Sequence, residues 1–180
     1  MNKIIIYGSK YGTAKLYAQK LSEEIGVSVK SFKEVENIDN YDIIIYLGAL
    51  YAGGVLGMAK TLKKLNNLSN KNIIIATVGL ADPTDSQNIN NIRTNMKMQL
   101  SNKIIEKAKI FHLRGGIDYS KLNILHKTMM NMLYQKVKKM PEEEWSAEDK
   151  AMIETFNKKV NFVNFSNLKQ IISEIEKIED

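Results

Sequence analysis

The chain of 180 residues contains no cysteine. This absence excludes disulfides, thiolate nucleophiles, iron–sulfur clusters and zinc ribbons, all of which need a cysteine side chain. Any redox chemistry must therefore come from a bound cofactor. Hydrophobic residues make up 44% and charged residues 26% of the chain, which is ordinary for a globular domain and gives no sign of disorder.

The sequence also lacks a long apolar run. Its first residues, MNKIIIYGSKYG, hold only a short run of isoleucines before a glycine, far less than the apolar region of a signal peptide. No later stretch approaches the roughly 20 apolar residues of a transmembrane helix. We therefore expect a cytoplasmic protein without a transmembrane anchor.

An excess of basic over acidic residues gives the chain a net charge of +6 and a sequence pI near 9.3. Such a charge permits attraction to anionic lipids, nucleic acid or acidic proteins. However, the heavy use of Lys, Ile and Asn is typical of a coding bias, and aromatic and arginine residues do not interleave as they do in RNA-binding surfaces. We predict no nucleic-acid partner.

The two histidines of the chain stand alone. His112 ends a predicted strand and His126 lies on a predicted helix, and neither has a second histidine or a cysteine at metal-ligand spacing. We predict no metal site.

Short β-branched runs alternate with amphipathic segments along the chain. The runs predict five strands, over residues 4–6, 27–32, 41–47, 72–78 and 108–113. The amphipathic segments predict helices over residues 14–25, 56–65, 86–100, 118–139 and 165–178. This alternation indicates an α/β fold with a doubly wound, five-stranded parallel sheet of strand order 2-1-3-4-5 and helices on both faces.

The length and composition favour one domain over residues 1–180. A helical insertion is predicted after the fifth strand, over approximately residues 117–163. Within it, charge, Pro141 and Trp145 interrupt the helical pattern. Ser146 followed by Asp149 is typical of a capping box at the start of a further helix.

The first strand leads directly into a glycine-containing loop at the start of a helix. Unpaired N–H groups and the helix dipole favour a phosphate group at such a position. The loop lacks the Gly-Lys-Ser/Thr ending of a P-loop and the G-x-G-x-x-G of a dinucleotide site. A simple strand-to-helix turn is the alternative. The residues predicted to hold a phosphate are Ser9, Lys10, Tyr11, Gly12, Thr13 and Ala14.

The segment from Ser9 to Thr13 resembles the FMN phosphate loop of flavodoxins, a pattern of hydroxyl residues around a glycine. In that family the loop wraps a monophosphate. The resemblance implies a flavodoxin-like domain that binds FMN non-covalently at the carboxyl ends of the strands.

A second loop, residues 48–54, follows the third strand, where small residues would let the backbone approach a planar ring. Tyr51 is predicted to stack on that ring. The alternative is a surface tyrosine beside a flexible turn. The predicted ring contacts from this loop are Ala49, Leu50, Tyr51, Ala52 and Gly53.

A third loop, residues 78–83, resembles the one that flavodoxins place along the far edge of the isoalloxazine ring. Its backbone N–H groups would bond the polar edge of the ring. Asp82 is more simply explained as a turn or helix cap than as a catalytic group. The predicted ring contacts here are Gly79, Leu80, Ala81 and Asp82.

The stretch from Gly115 to Tyr119, with the Met-rich helix and polar segment that follow, resembles flavodoxin-type, menaquinone-dependent protoporphyrinogen dehydrogenases. Members of that branch carry a long insertion after the fifth strand. The resemblance implies an FMN-dependent oxidoreductase that passes electrons from a reduced tetrapyrrole to a quinone. The alternative is a flavodoxin-type electron-transfer protein that docks redox partners and has no small substrate of its own.

The predicted helix over residues 118–139 combines an apolar stripe with many lysines. The stripe consists of Leu122, Leu125, Met129 and Leu133, and the lysines are Lys121, Lys127, Lys136, Lys138 and Lys139. One interpretation is a docking surface for a redox partner, or for a quinone at a membrane surface. The other, slightly favoured, is an ordinary helix that covers the sheet and exposes its lysines.

Overall fold

A parallel sheet forms the centre of the protein in the computed structural model, which describes residues 1–180. All strands of the protein are numbered in chain order, and those of the parallel sheet are β1 (Lys3–Gly8), β2 (Val29–Ser31), β3 (Ile43–Tyr51), β5 (Asn72–Gly79) and β6 (Ala108–Arg114). They lie in the order β2-β1-β3-β5-β6, and every neighbouring pair is parallel. The predicted five-stranded order 2-1-3-4-5 is therefore confirmed.

Three short strands lie outside this parallel set. Strand β4 (Gly54–Val55) turns back antiparallel against the end of β3. Strands β7 (Gly116–Asp118) and β8 (Lys159–Asn161) pair with each other as a separate antiparallel ribbon. This ribbon is the base from which the insertion after β6 extends.

Seven α-helices complete the fold: α1 (Thr13–Ile25), α2 (Met58–Leu62), α3 (Ser86–Gln99), α4 (Asn102–Lys107), α5 (Ile124–Val137), α6 (Ala147–Thr155) and α7 (Leu168–Glu179). Single 3-10 turns occupy Tyr119–Lys121, Glu142–Glu144 and Phe165–Asn167. Among these helices, none has the length and apolar character needed to cross a bilayer.

The isoleucine runs supply the core on both faces of the sheet. Successive residues of a strand point to opposite faces, so Ile5 packs beneath α1 and α7 while Ile4 and Ile6 pack on the side of α2, α3 and α4. Since both faces are covered, the helices lie on both sides of the sheet as predicted.

The boundaries of several elements differ from those predicted. Strand β2 covers fewer residues than the predicted 27–32, whereas β3 extends past residue 47 because it pairs with β5 as far as Ala49 and then with β4 at its last two residues. Helix α2 is shorter than predicted, and α4 was not predicted. Helix α4 is a short helix whose only buried residue is Ile104, so its apolar pattern is too brief to identify.

The prediction that Asp118 starts a long helix is wrong. The Asp118 carboxylate instead caps a 3-10 turn by accepting from the Ser120 N–H at 3.0 Å. Helix α5 begins six residues later, where the Asn123 side chain accepts from the His126 N–H at 2.8 Å. Two capping residues close together thus divide a segment whose apolar pattern favoured one continuous helix.

Both ends of the insertion are held by a single buried side chain. Tyr17 of α1 is completely buried, and its hydroxyl donates to the Arg114 carbonyl at 2.8 Å. The same oxygen accepts from the Asn164 N–H at 2.9 Å. Because Arg114 precedes the insertion and Asn164 follows it, this hydroxyl ties the entry and exit of the insertion to the core.

Replacing Tyr17 by Phe should lower the free energy of unfolding by about 1–2 kcal/mol, because it leaves two backbone groups without their partner. Denaturant unfolding measures this. Tyr7→Phe is a matched control, since the Tyr7 hydroxyl makes no hydrogen bond, and it should change stability by less than about 0.5 kcal/mol. Equal effects of the two substitutions would contradict the anchoring role.

Candidate functional site

A cavity of about 350 Å³ opens at the edge of the sheet where β1, β3, β5 and β6 end. Its walls come from the three loops singled out in the sequence and from the insertion. Of the predicted site residues, those that line it are Lys10, Tyr11, Thr13, Ala49, Leu50, Tyr51, Ala52, Gly79, Leu80 and Ala81. Those that do not line it are Ser9, Gly12, Ala14, Gly53 and Asp82.

The first loop runs from the end of β1 to the amino terminus of α1. Gly12 adopts a φ of +101°, which glycine tolerates far better than other residues, and its N–H donates to the Ser9 hydroxyl at 3.0 Å. Thr13, the first residue of α1, faces the cavity, whereas Ala14 is buried in the core. Ser9 and Gly12 therefore shape the loop, and Thr13 brings the positive end of the helix to the cavity.

The second segment is a hairpin rather than a loop. Strands β3 and β4 pair Leu50 with Val55 and Tyr51 with Gly54, and Ala52 and Gly53 form the two-residue turn between them. Both turn residues have positive φ, 50° and 77°, as a type I′ hairpin requires. The turn directs Tyr51 and Ala52 to the cavity and leaves Gly53 outside its lining.

Only part of the third loop faces the cavity. Gly79, Leu80 and Ala81 line the cavity. The Asp82 carboxylate turns away and accepts from the Thr84 N–H at 2.8 Å and the Thr84 hydroxyl at 2.7 Å. These hydrogen bonds hold the pKa of Asp82 below its ordinary value. Asp82 is thus a turn cap, the simpler of the two predicted explanations.

Arg114 at the end of β6 supports this third loop. Its Nε donates to the Leu80 carbonyl at 2.9 Å, and its guanidinium lies 3.7 Å from the centre of the Phe162 ring. The same group reaches the Glu154 carboxylate at 3.1 Å. Arg114 therefore joins the loop to two parts of the insertion, α6 and the residues just after β8.

The insertion supplies an apolar wall of the cavity. From α5 and the turn before it come Leu122, Met129, Met130 and Leu133, and from α6 come Ala151 and Met152. Helix α6 begins with the predicted capping box of Ser146 and Asp149. Leu125, Met129 and Leu133 remain exposed rather than buried against the sheet, so the interpretation of this segment as an ordinary sheet-covering helix is wrong.

His126 connects the insertion with the first loop and the hairpin. Its Nε2 lies 2.7 Å from the Tyr51 hydroxyl, and its Nδ1 is hydrogen-bonded to the Tyr11 hydroxyl. The sequence indicates His126 only as a candidate metal ligand and does not place it in the site. Its isolated position on a predicted helix gave no indication of these distant partners.

Two further polar residues at the cavity were not predicted. Asn88 of α3 is 2% exposed; its Nδ2 donates to the Asp82 carbonyl at 2.7 Å, while its Oδ1 has no hydrogen-bond partner. Glu148 reaches the cavity from the first turn of α6. Partial burial, and secondarily the charge of Asp149, raises the pKa of Glu148.

The chain is similar to several solved structures, all at low sequence identity. A flavoprotein in complex with FMN from Lactobacillus acidophilus shares 13% identity, with 63% of this chain and 91% of that chain covered and a TM-score of 0.43. A flavodoxin bound to flavin mononucleotide from Fusobacterium nucleatum shares 17% identity over 68% and 75% of the two chains, with a TM-score of 0.41.

Oxidised flavodoxin 1 from Bacillus cereus shares 14% identity over 63% and 84% of the chains, with a TM-score of 0.42. No curated protein matches the sequence. A family model described as a flavodoxin domain matches residues 4–144, which is most of the chain. The protein therefore belongs to the flavodoxin domain family.

Proposed function

We propose that the protein binds FMN non-covalently in this cavity. The proposal rests on three segments that converge on one cavity. They are the amino terminus of α1, the β3–β4 hairpin that carries Tyr51, and the third loop, which follows β5. The first suits a phosphate, and the other two suit a planar ring with a polar edge. Membership of the flavodoxin domain family supports the same cofactor.

The residues of the cavity fit the parts of FMN. Lys10, the Thr13 hydroxyl and the N–H groups at the start of α1 would hold the phosphate. Tyr51 would form an aromatic wall for the ring. The buried, unpartnered Oδ1 of Asn88 offers an acceptor to a ring N–H or a ribityl hydroxyl. When bound, the flavin supplies hydride or single-electron transfer, which none of the side chains here provides.

Replacing Thr13 by Glu should abolish FMN binding, because it puts a negative charge at the start of α1 where the phosphate would lie. Quenching of flavin fluorescence on titration with FMN measures the affinity. Thr94→Glu, on the exposed surface of α3, is the matched control and should bind as the wild type does. FMN binding by the Thr13→Glu variant at wild-type affinity would contradict the placement of the phosphate.

We further propose that the protein is an FMN-dependent oxidoreductase, similar to protoporphyrinogen dehydrogenase, that passes electrons from a reduced substrate to a quinone. The insertion supports this proposal because its methionine and leucine side chains line the same cavity as the three loops. The apolar part of the reduced substrate or of the quinone would therefore lie against this wall, beside the cofactor. An electron carrier that only docks partners has no need of such a wall.

Steady-state turnover of protoporphyrinogen with a menaquinone analogue tests this second proposal. We expect turnover that depends on added FMN. If FMN binds but no turnover is seen, and the reduced protein exchanges electrons rapidly with a ferredoxin, the electron-carrier alternative is correct. Binding and turnover are measured separately, so failure of the substrate assignment would leave the cofactor assignment intact.

We also propose that α5 rests on an anionic membrane surface. Its outer side exposes Ile124 (85%), Leu125 (66%) and Met132 (67%). Five lysines lie between residues 119 and 140, and this stretch contains no acidic residue. The exposed apolar side chains could enter the hydrocarbon boundary of a membrane, and the lysines could pair with its anionic head groups.

Charge reversal at Lys121, Lys127 and Lys138 should strongly weaken binding to anionic liposomes, because each lysine near such a surface contributes about 1 kcal/mol. Co-sedimentation with vesicles that contain phosphatidylglycerol measures the binding. Reversal of Lys30, Lys33 and Lys60, which are exposed elsewhere, gives the same net charge and serves as the control. Similar binding by both triple variants would show that net charge, and not α5 with the lysines on and beside it, is responsible.

A further inference from the structure

We infer that His126 is a positioning residue that fixes the Tyr51 and Tyr11 side chains at the cavity and thereby sets the environment of the flavin ring. The part of this inference that concerns the ring rests on the proposed binding of FMN. The part that concerns the two tyrosines stands on the contacts of the chain alone.

The imidazole of His126 bridges two segments that are far apart in sequence. Its Nε2 lies 2.7 Å from the Tyr51 hydroxyl and its Nδ1 bonds the Tyr11 hydroxyl. Both tyrosine rings also meet the imidazole edge-on, with ring centres 5.6 Å away for Tyr51 and 5.7 Å for Tyr11. Hence α5, the β3–β4 hairpin and the first loop meet at one side chain.

A neutral imidazole can make both bonds at once. It carries one N–H donor and one acceptor nitrogen, and each tyrosine hydroxyl can either donate or accept. Partial burial, and then the proximity of Tyr51, raises the pKa of Tyr11, so this phenol keeps its proton at neutral pH. Both ring nitrogens of His126 are therefore satisfied by the two hydroxyls.

The backbone that carries the imidazole is held at the start of α5. The backbone N–H of His126 donates to the Asn123 side chain at 2.8 Å, which caps the first turn of α5. The two hydroxyl groups have no other support, because neither makes a further hydrogen bond; Tyr11 is in addition 40% exposed, whereas the backbone of Tyr51 is held by its pairing with Gly54. The capped helix therefore carries the imidazole, and the imidazole in turn positions the two tyrosine hydroxyls.

Three substitutions separate the two hydrogen bonds. His126→Gln places an amide near the position of Nε2 and can keep the bond to Tyr51, whereas His126→Asn places it near Nδ1 and can keep the bond to Tyr11. His126→Phe keeps a ring but neither bond. Asn131→Ala, at an exposed position on the same helix, is the control.

Two measurements are made on each variant. The first is FMN affinity together with the visible circular dichroism of the bound flavin, which reports the aromatic side chain beside the ring. The second is amide hydrogen exchange of residues 9–13 and 49–55 in the cofactor-free protein. The second measurement involves no flavin, so it decides the positioning of the tyrosines even if FMN does not bind.

We expect His126→Phe to bind FMN about threefold to tenfold more weakly, as the loss of a hydrogen bond predicts, and to exchange faster in both segments. His126→Gln should keep the wild-type dichroism, and His126→Asn should lose it. Amide hydrogen exchange at the wild-type rate in both segments of the His126→Phe protein would overturn the inference. Identical flavin spectra for the Gln and Asn variants would overturn the part that concerns the ring.

Discussion

The central strands β1, β3 and β5 are stable only when both of their faces are covered, because their runs of isoleucine leave no polar face for solvent. Helices on both sides of the sheet satisfy this requirement. Parallel strands joined by right-handed crossovers then end at the same edge, where their loops converge. The location of the cavity therefore follows from the need to bury these isoleucines.

The insertion changes what this edge can do. It leaves the core through one antiparallel ribbon, β7 and β8, and the Tyr17 hydroxyl holds the backbone on either side of it. Arg114 links it to the third loop and His126 links it to the first loop and the hairpin. These fixed points let α5 and α6 act as a wall of the cavity rather than as a separate appendage.

The fold and three of the walls of the cavity could be predicted from sequence because they depend on local patterns. Buried strands are identified by their apolar runs, and the first loop by its glycine and hydroxyl residues. The positions of Asn88, His126 and Glu148 at the cavity, and the support that Arg114 gives to the third loop, depend on how distant segments of the chain pack together. The local sequence of these residues indicates only a helix start, a helix position, a capping box and a strand end, respectively.

The same limit explains the errors at the start of α5 and at the end of β3. Asp118 and Asn123 are both good capping residues, and the pairing of Gly116–Asp118 with β8 across the insertion determines which turn follows. The last two residues of β3 pair with β4 through a turn that has Ala52 at positive φ, a conformation that alanine rarely adopts. Neither event could be recognised from hydrophobic periodicity.

The central claim is that the three loops and the insertion form a single cofactor cavity. Amide hydrogen exchange with and without saturating FMN tests it most directly on the intact chain. The account predicts that FMN slows exchange in residues 10–13, 50–52 and 79–81, and also in α5 and α6. Protection confined to the three loops, with exchange in α5 and α6 unchanged, would contradict it.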